Sequence, residues 1–84
     1  MLKYALLGFL NYNPATGYEL KQFIDVSTTN FWHAKQSQIY TTLKKMEEEN
    51  LVSSRFEPQE GRPNRRVFTI SQTGKTELKT WLEQ

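Results

Sequence analysis

The sequence predicts a small, mainly α-helical domain that carries one β-hairpin. Its 84 residues suffice for a single compact core. Apolar residues recur at helical spacing in several segments, and they alternate with polar residues in two short segments near the carboxy-terminal end. A segment with Pro58, Gly61 and Pro63 joins the two alternating segments. It is too long for a tight turn, so we expect it to project as a loop.

The first two helices are predicted from their apolar stripes and their boundaries. Helix one runs to about Asn11, and the pair Asn13-Pro14 ends it. Helix two covers about Gly17 to Val26, and Thr16 with Glu19 forms a capping box at its start. The two apolar stripes consist of Leu2, Ala5, Leu6, Phe9, Leu10, Leu20, Phe23 and Ile24.

Helix three is predicted after Phe31 and Trp32, two aromatic residues that we expect to close one side of the core. The helix covers about Gln38 to Glu49. Ser37 is its expected N-terminal cap, and Asn50 follows where a left-handed C-terminal cap is favoured. The expected core positions are Ile39, Leu43 and Met46.

Two strands follow helix three and are predicted to pair as a hairpin. The first covers Leu51 to Phe56 and places Val52, Ser54 and Phe56 on one face. The second covers Arg65 to Ile70, with Phe68 and Ile70 facing inward. The loop from Glu57 to Asn64 connects them.

A fourth helix is expected to begin near residue 73, capped by Ser71 or Thr73, with Leu78, Trp81 and Leu82 on its apolar side. No capping signal precedes Gln84. We therefore expect residues 1–84 to form one domain whose last helix is truncated, and Trp81 and Leu82 to begin a dimer or ligand surface. The element order is that of a winged helix-turn-helix, in which helices two and three form the turn motif and the two-stranded hairpin forms the wing.

Composition excludes several classes of protein. The absence of cysteine excludes disulfides, zinc–thiolate sites, iron–sulfur clusters and thiol catalysis. The longest apolar stretch, Ala5 to Leu10, is far shorter than the about 20 residues that span a bilayer. The single histidine, His33, has no acidic residue within three positions, and the run Glu47-Glu48-Glu49 has no second set of ligands. We expect a cytoplasmic protein with no metal, cofactor, membrane partner or enzymatic activity.

The outward side of helix three carries residue types that suit DNA. Opposite its core positions lie Gln38, Thr41, Thr42 and Lys45. Glutamine suits an adenine edge, threonine suits the thymine methyl group, and lysine suits a phosphate. A plain solvated helix surface would hold the same residue types. The acidic run from Glu47 to Glu49 would repel phosphate, so we expect it to point away from DNA.

Three residues beside this side of the helix are expected to position a duplex. Ser37 and the helix N-terminus can offer hydrogen bonds to a phosphate, and Lys35 can neutralise one. Tyr40 lies between the core positions and the outward positions. Its ring can therefore pack while its hydroxyl contacts a phosphate or a backbone group.

Positive charge is concentrated in and after the loop. The chain has 11 basic and 9 acidic residues and a net charge of +2, yet residues 61–75 contain four basic residues and no acidic one. We predict a DNA-binding wing in which the arginines contact the minor groove and the flanking phosphates. Its residues are Arg62, Asn64, Arg65 and Arg66. A basic turn that serves solubility is the alternative.

Three stretches of the chain resemble the PadR-like transcriptional regulators. They are residues 4–10 with 16–21, residues 31–32 with 38–47, and residues 61–70 followed by Thr73-Gly74. Together they cover nearly the whole chain. Four residues depart from the family pattern: Thr16 replaces a histidine, Thr41 a proline, Asn50 a glycine and Phe68 a tyrosine.

This resemblance implies a repressor that binds pseudo-palindromic operators in double-stranded DNA as a homodimer, with a dimerising region that lies beyond Gln84 or is missing. It also implies that a small aromatic effector is a candidate partner. By position, Tyr40 matches the recognition-helix tyrosine of the family, and residues 61–66 match its wing. The alternative is a protein-binding winged-helix adaptor, which would bind DNA no better than its charge predicts. A titration against duplex DNA at two salt concentrations separates the two interpretations.

Overall fold

The computed structural model describes residues 2–27 and 34–84, which form four helices and three strands. The helices are α1 (Leu2–Leu10), α2 (Gly17–Ser27), α3 (Gln36–Glu48) and α4 (Gln72–Leu82). The strands are β1 (Ala15–Thr16), β2 (Val52–Glu57) and β3 (Arg65–Ile70). The predicted winged helix-turn-helix is confirmed. Phe31, Trp32 and His33 lie outside the described residues, so our expectations for them stay predictions.

The core lies between the first three helices and one face of the sheet. Its largest fully buried side chains are Leu6, Leu7, Leu20, Ile24, Ile39, Leu43 and Met46. Val52, Phe68, Ile70 and Leu78 extend it into the sheet and α4. The predicted stripes of α2 and α3 are confirmed. Leu7 was not part of the predicted stripe of α1, and it is buried because α1 contacts α2, α3 and α4 together.

The sheet has three strands, where we predicted a two-stranded wing. Its order is β1-β3-β2, and both pairings are antiparallel. β1 places Ala15 opposite Phe68 and Thr16 opposite Val67. A strand of two residues has no alternation to detect, which is why the sequence pattern missed it. The pairing matters because it attaches the wing to the start of α2.

The start of α3 also differs from the prediction. The helix begins at Gln36 with Lys35 as its cap residue, and Ser37 lies inside the first turn. The Lys35 backbone N–H donates to Oε1 of Gln38 over 2.8 Å. This bond is the reciprocal half of a capping box, made by a glutamine at the third helical position. Gln38 therefore stabilises the start of the helix that carries it.

The end of α3 has the predicted left-handed cap at Asn50, whose φ is 64°. The Asn50 N–H donates to the Glu47 carbonyl over 3.0 Å, and the Leu51 N–H donates to the Met46 carbonyl over 2.9 Å. These two bonds are a Schellman motif, in which asparagine tolerates the conformation that glycine usually adopts. The motif turns the chain directly from α3 into β2.

The start of α4 docks on this same turn. Ser71 is the cap: its Oγ accepts from the Gly74 N–H over 2.9 Å and donates to the Asn50 carbonyl over 2.6 Å. Of the two predicted caps, Ser71 is confirmed and Thr73 is not. A Cβ at Gly74 would collide with the Leu51 carbonyl oxygen, so glycine permits the close approach.

No helix of the described ranges is long and apolar enough to cross a membrane.

Candidate nucleic-acid interface

An open cleft of about 700 Å³ separates the start of α2 and the middle of α3 from the loop of the wing. We call it the wing cleft, where the wing is β2, β3 and the loop between them. Its lining residues are Thr16, Tyr18, Glu19, Tyr40, Gln59, Arg62, Pro63, Asn64, Arg65 and Arg66. The predicted wing residues and the recognition-helix tyrosine therefore lie around one opening.

Tyr40 stands at the meeting point of α2 and α3. A Cβ placed on Gly17 would lie 2.5 Å from the Tyr40 ring, so the ring packs directly on the backbone at the start of α2. The side chain is nevertheless 45% exposed. Its ring therefore packs as predicted, and a contact of its hydroxyl with phosphate stays a prediction.

The outward residues of α3 lie together, and we call Gln38, Thr41, Thr42 and Lys45 the recognition face. Thr42 is half-buried, and the other three are exposed. Thr41 Oγ1 donates to the Ser37 carbonyl over 2.8 Å, and Thr42 Oγ1 donates to the Gln38 carbonyl over 2.7 Å. Lys35 and Ser37 are exposed at the start of the same helix. The predicted face is thus accessible and is held by bonds within its own helix.

Arg62 is at the tip of the wing and is exposed. The preceding Gly61 has a φ of 71°, a left-handed conformation that a residue with a side chain rarely adopts. Within the described residues, Arg62 forms no ion pair. Asn64 is exposed beside it. The tip of the wing therefore presents an uncompensated positive charge to the wing cleft.

Arg65 is engaged differently. Its Nη2 lies 3.5 Å from Oε1 of Glu19, and its Nε lies 3.6 Å from Oε1 of Glu57. The same Glu19 oxygen accepts from the Thr16 N–H over 2.8 Å, which completes the capping box of α2. The pair with Glu19 connects the wing to α2, and the pair with Glu57 lies within the wing. The charge of Arg65 is therefore already paired, and a contact of Arg65 with DNA stays a prediction.

Arg66 lies on the opposite face of β3 from Arg65, as adjacent strand residues must. Its Nη1 donates to Oγ of Ser54 over 2.7 Å, and its guanidinium lies 4.2 Å from the centre of the Phe56 ring. Phe56 is 61% exposed because its position on β2 extends past the core. Stacking and hydrogen bonding hold the guanidinium in place while leaving it exposed.

Glu47 faces the wing, and the expectation that the acidic run points away from DNA stays a prediction. Its Oε2 accepts from Oγ of Ser54 over 2.8 Å, and it lines a groove of about 300 Å³ with Tyr40, Lys44, Arg66 and Phe68. The expectation considered only repulsion of phosphate by the acidic run. The hairpin brings Ser54 and Arg66 to this carboxylate, which no local pattern predicts.

Tyr18 is a surface residue of the wing cleft that the sequence analysis missed. It is 62% exposed in the first turn of α2. The capping box of Thr16 and Glu19 was the available signal, because it places residue 18 at the start of the helix. An exposed tyrosine at a helix start suits a phosphate contact, as Tyr40 does.

Trp81 and Leu82 lie on α4 and do not line the wing cleft. The Trp81 ring stacks on Tyr4 of α1, with ring centres 4.6 Å apart and planes 6° apart. Trp81 is 38% exposed and Leu82 is 66% exposed. The Tyr4 hydroxyl donates to Oε2 of Glu77 over 2.8 Å, and this bond raises the pKa of Tyr4. An apolar surface thus remains at the end of α4, and its role as a dimer or ligand surface stays a prediction.

The described ranges hold no group of three or more His, Asp or Glu side chains arranged to bind a metal ion.

Comparison with known proteins matches the transcriptional regulator PadR-like family over residues 6–80. The chain belongs to this family.

Two relatives extend this PadR-like assignment. The negative transcriptional regulator PadR of Bacillus subtilis is 37% identical over 82 residues, which are 98% of this chain and 45% of that protein. The probable transcriptional regulator Rv1176c of Mycobacterium tuberculosis is 40% identical over 83 residues, 99% of this chain and 44% of that protein. The PadR-like chain described here thus spans less than half the length of these relatives.

Crystal structures of the Bacillus subtilis protein match the fold. In complex with operator DNA, it superposes with a TM-score of 0.92 at 36% identity, covering 100% of this chain and 48% of that one. In complex with p-coumaric acid, the TM-score is 0.79 at 35% identity, covering 99% and 42%. The PadR-like domain thus shares the fold of a protein that has been crystallised on its operator.

Proposed function

We propose that this PadR-like domain binds operator DNA in a sequence-specific manner, as the DNA-binding part of a homodimeric transcriptional repressor. One observation carries the proposal. Tyr40 of the recognition helix and Arg62 and Arg66 of the wing line a single cleft. One duplex can therefore contact α3 and the wing at the same time.

In this proposal α3 enters the major groove and the wing follows the backbone into the adjacent minor groove. Gln38, Thr41 and Thr42 face base edges, and Lys45 approaches phosphate. Arg62 suits the negative potential of a narrow minor groove, because its charge is unpaired within the described residues. Lys35, Ser37, Tyr18 and Tyr40 would hold the backbone in register.

The relatives support the direction of regulation and the partners. The Bacillus subtilis relative is named a negative regulator and has been crystallised with operator DNA and with p-coumaric acid. We infer repression, a pseudo-palindromic site and a small aromatic effector for the protein that contains this domain, and the cytoplasm as the place where it acts. Trp81 and Leu82 are the candidate contribution of this chain to the dimer or effector surface.

Selection of duplexes from a random pool by the full-length protein tests the proposal. We expect a palindromic consensus with two half-sites about one helical turn apart, because a two-fold dimer places two recognition helices in successive major grooves. Affinity for the consensus should exceed affinity for a scrambled duplex by about a thousandfold or more. Equal affinity for both duplexes at two salt concentrations would contradict the proposal and would favour a protein-binding adaptor.

A further inference from the structure

Gln38 has one end of its amide already in use. Its Oε1 accepts a 2.8 Å hydrogen bond from the Lys35 backbone N–H. Because a backbone N–H must face an acceptor, this bond determines which way the amide is turned. The Nε2 group, with its two hydrogens, makes no hydrogen bond within the described residues. The exposed end of Gln38 is therefore a donor.

The two threonines of the recognition face are left with hydrogen-bond acceptors instead of donors. The hydroxyls of Thr41 and Thr42 donate to the carbonyls of Ser37 and Gln38 over 2.8 and 2.7 Å. A hydroxyl has one hydrogen, so each threonine has only oxygen lone pairs and a methyl group left for a ligand. Gln38 and Lys45 are the remaining side-chain donors of the recognition face.

We propose that Gln38 contacts its base pair as a hydrogen-bond donor to a purine edge, while its carbonyl oxygen stays on the Lys35 backbone. This inference rests on the proposed function and assigns Gln38 a specificity that differs from the one its residue type suggests. Selection of adenine by glutamine uses both ends of the amide, the oxygen on N6 and the nitrogen on N7. With the oxygen held by α3, the nitrogen can pair with N7 of either purine, with O6 of guanine or with O4 of thymine, and it finds no acceptor on cytosine.

The expected specificity follows directly. At the base pair that Gln38 contacts, guanine should be bound as well as adenine, and cytosine, whose major-groove edge offers only an amino donor, should be bound least well. Thr41 and Thr42 should favour neighbouring bases that offer an amino donor or a methyl group, namely cytosine, adenine or thymine. The recognition face would then disfavour cytosine at one position and leave the choice between the two purines open.

Two substitutions separate the cap from the base contact. Gln38→Glu keeps an oxygen for the Lys35 N–H and loses the donor, whereas Gln38→Ala loses both. In the free protein, we expect Gln38→Glu to unfold at or above the wild-type temperature and Gln38→Ala to unfold below it. On the duplex selected by the full-length wild type, both variants should bind about tenfold more weakly. Their loss of base preference should be confined to one base pair.

A matched control accounts for the negative charge that glutamate adds. Gln72→Glu places the same change on an exposed position of α4 outside the wing cleft. It should leave the base preference at every position unchanged.

As a direct probe, 7-deazaguanine or 7-deazaadenine removes only the N7 acceptor. At the Gln38 base pair this change should weaken the wild type several-fold and leave Gln38→Ala unaffected.

The outcomes distinguish this inference from the proposed function. Guanine and adenine bound within about threefold of each other, with sensitivity to 7-deaza purines, support it. Adenine favoured over guanine by tenfold or more would overturn it, as would an unchanged base profile for Gln38→Glu. Either of those results leaves operator binding itself intact. Failure of the wild type to select any duplex would overturn both.

Discussion

The recognition face and the wing hold their polar side chains in opposite ways. On α3, Gln38 bonds to the backbone three residues earlier, and Thr41 and Thr42 bond to the backbone four residues earlier. On the wing, Arg65 pairs with carboxylates on α2 and β2, and Arg66 bonds across the hairpin to Ser54. One surface is organised by contacts within a helix, and the other by contacts between different elements.

This difference has a physical consequence for DNA binding. Short hydrogen bonds between neutral groups of one helix respond little to salt, whereas exposed ion pairs are screened within a Debye length of about 8 Å at physiological ionic strength. The recognition face should therefore keep its arrangement whenever α3 is folded. The wing should depend on ionic strength, both in its attachment to α2 and in its attraction to phosphate.

The largest effect is expected at the junction that joins the two regions. Gly74→Ala places a methyl group against the Leu51 carbonyl, which lies between the end of α3 and the start of β2. Because backbone cannot rotate away as a side chain can, we expect a loss of about 1 to 3 kcal/mol in the free energy of unfolding. Urea unfolding followed by circular dichroism measures it.

Gly8→Ala is the matched control for this substitution. A Cβ on Gly8 has no heavy atom within 4 Å. Alanine should instead stabilise α1 by up to about 1 kcal/mol, because glycine is a poor helix former. Similar losses for the two variants would show that the Leu51 contact is not what requires glycine at residue 74.

The second prediction concerns the free charge of the wing. Arg62→Ala should weaken binding to every duplex and lower the slope of log K against log salt by about 0.9, the value of one phosphate contact. Arg55→Ala is the control, because Arg55 is on the wing, is paired with Glu57 and does not line the wing cleft. An unchanged slope for Arg62→Ala, or an equal change for Arg55→Ala, would place the DNA contact elsewhere.

A smaller effect is expected from the paired charge of the wing. Arg65→Gln removes the ion pairs with Glu19 and Glu57, and exposed pairs of this kind contribute about 0.2 to 1 kcal/mol. The difference in unfolding free energy from the wild type should shrink at 1 M salt, where the Debye length is about 3 Å. Lys75→Gln removes the same charge from a lysine that forms no ion pair within the described residues, and it should show no such salt dependence.

The smallest effect at neutral pH is expected outside both regions, at Tyr4. The hydrogen bond to Glu77 raises the pKa of Tyr4, and burial and the charges of Glu77 and Glu49 act in the same direction. A raised pKa means that folding favours the protonated phenol. This contribution to stability is complete below the ordinary tyrosine pKa of about 10 and is lost as pH rises through the folded value.

Tyr4→Phe tests this sign. The unfolding temperature of the wild type should exceed that of the variant below about pH 10, and the two should converge above it. Trp81 fluorescence is the measurement, because the Trp81 ring stacks on Tyr4. Tyr12→Phe, at a tyrosine that is 83% exposed, is the control and should follow the wild type at every pH. A gap between the wild type and Tyr4→Phe that widens above about pH 10 would contradict the prediction.

Part of the candidate site follows from patterns that are local in the chain. The buried side of α3 at Ile39, Leu43 and Met46 determines by helical geometry which residues face outward. Gly61 beside Arg62 predicts a projecting tip, and the tip is exposed. The prediction that Asn50 adopts a left-handed conformation is likewise correct. Each of these inferences needs only a few neighbouring residues.

Other features depend on residues that the chain brings together from far apart. β1 exists because Ala15 and Thr16 meet β3, more than fifty positions later, and no pattern in two residues shows it. The different roles of Arg65 and Arg66 depend on Glu19 and Ser54, which lie on different elements. Glu47 is oriented toward the wing by Ser54, which follows it across the turn from α3 into β2.

The sequence by itself determined the order of the elements, the buried faces of the helices and the residue types of the two surfaces, because helical periodicity, capping and turn preferences act over a few residues. Only the tertiary structure decided which arginine keeps its charge free and that Tyr40 of α3 and the wing border one cleft. Those properties depend on distances between atoms that are remote in the chain, and such distances have no local signature.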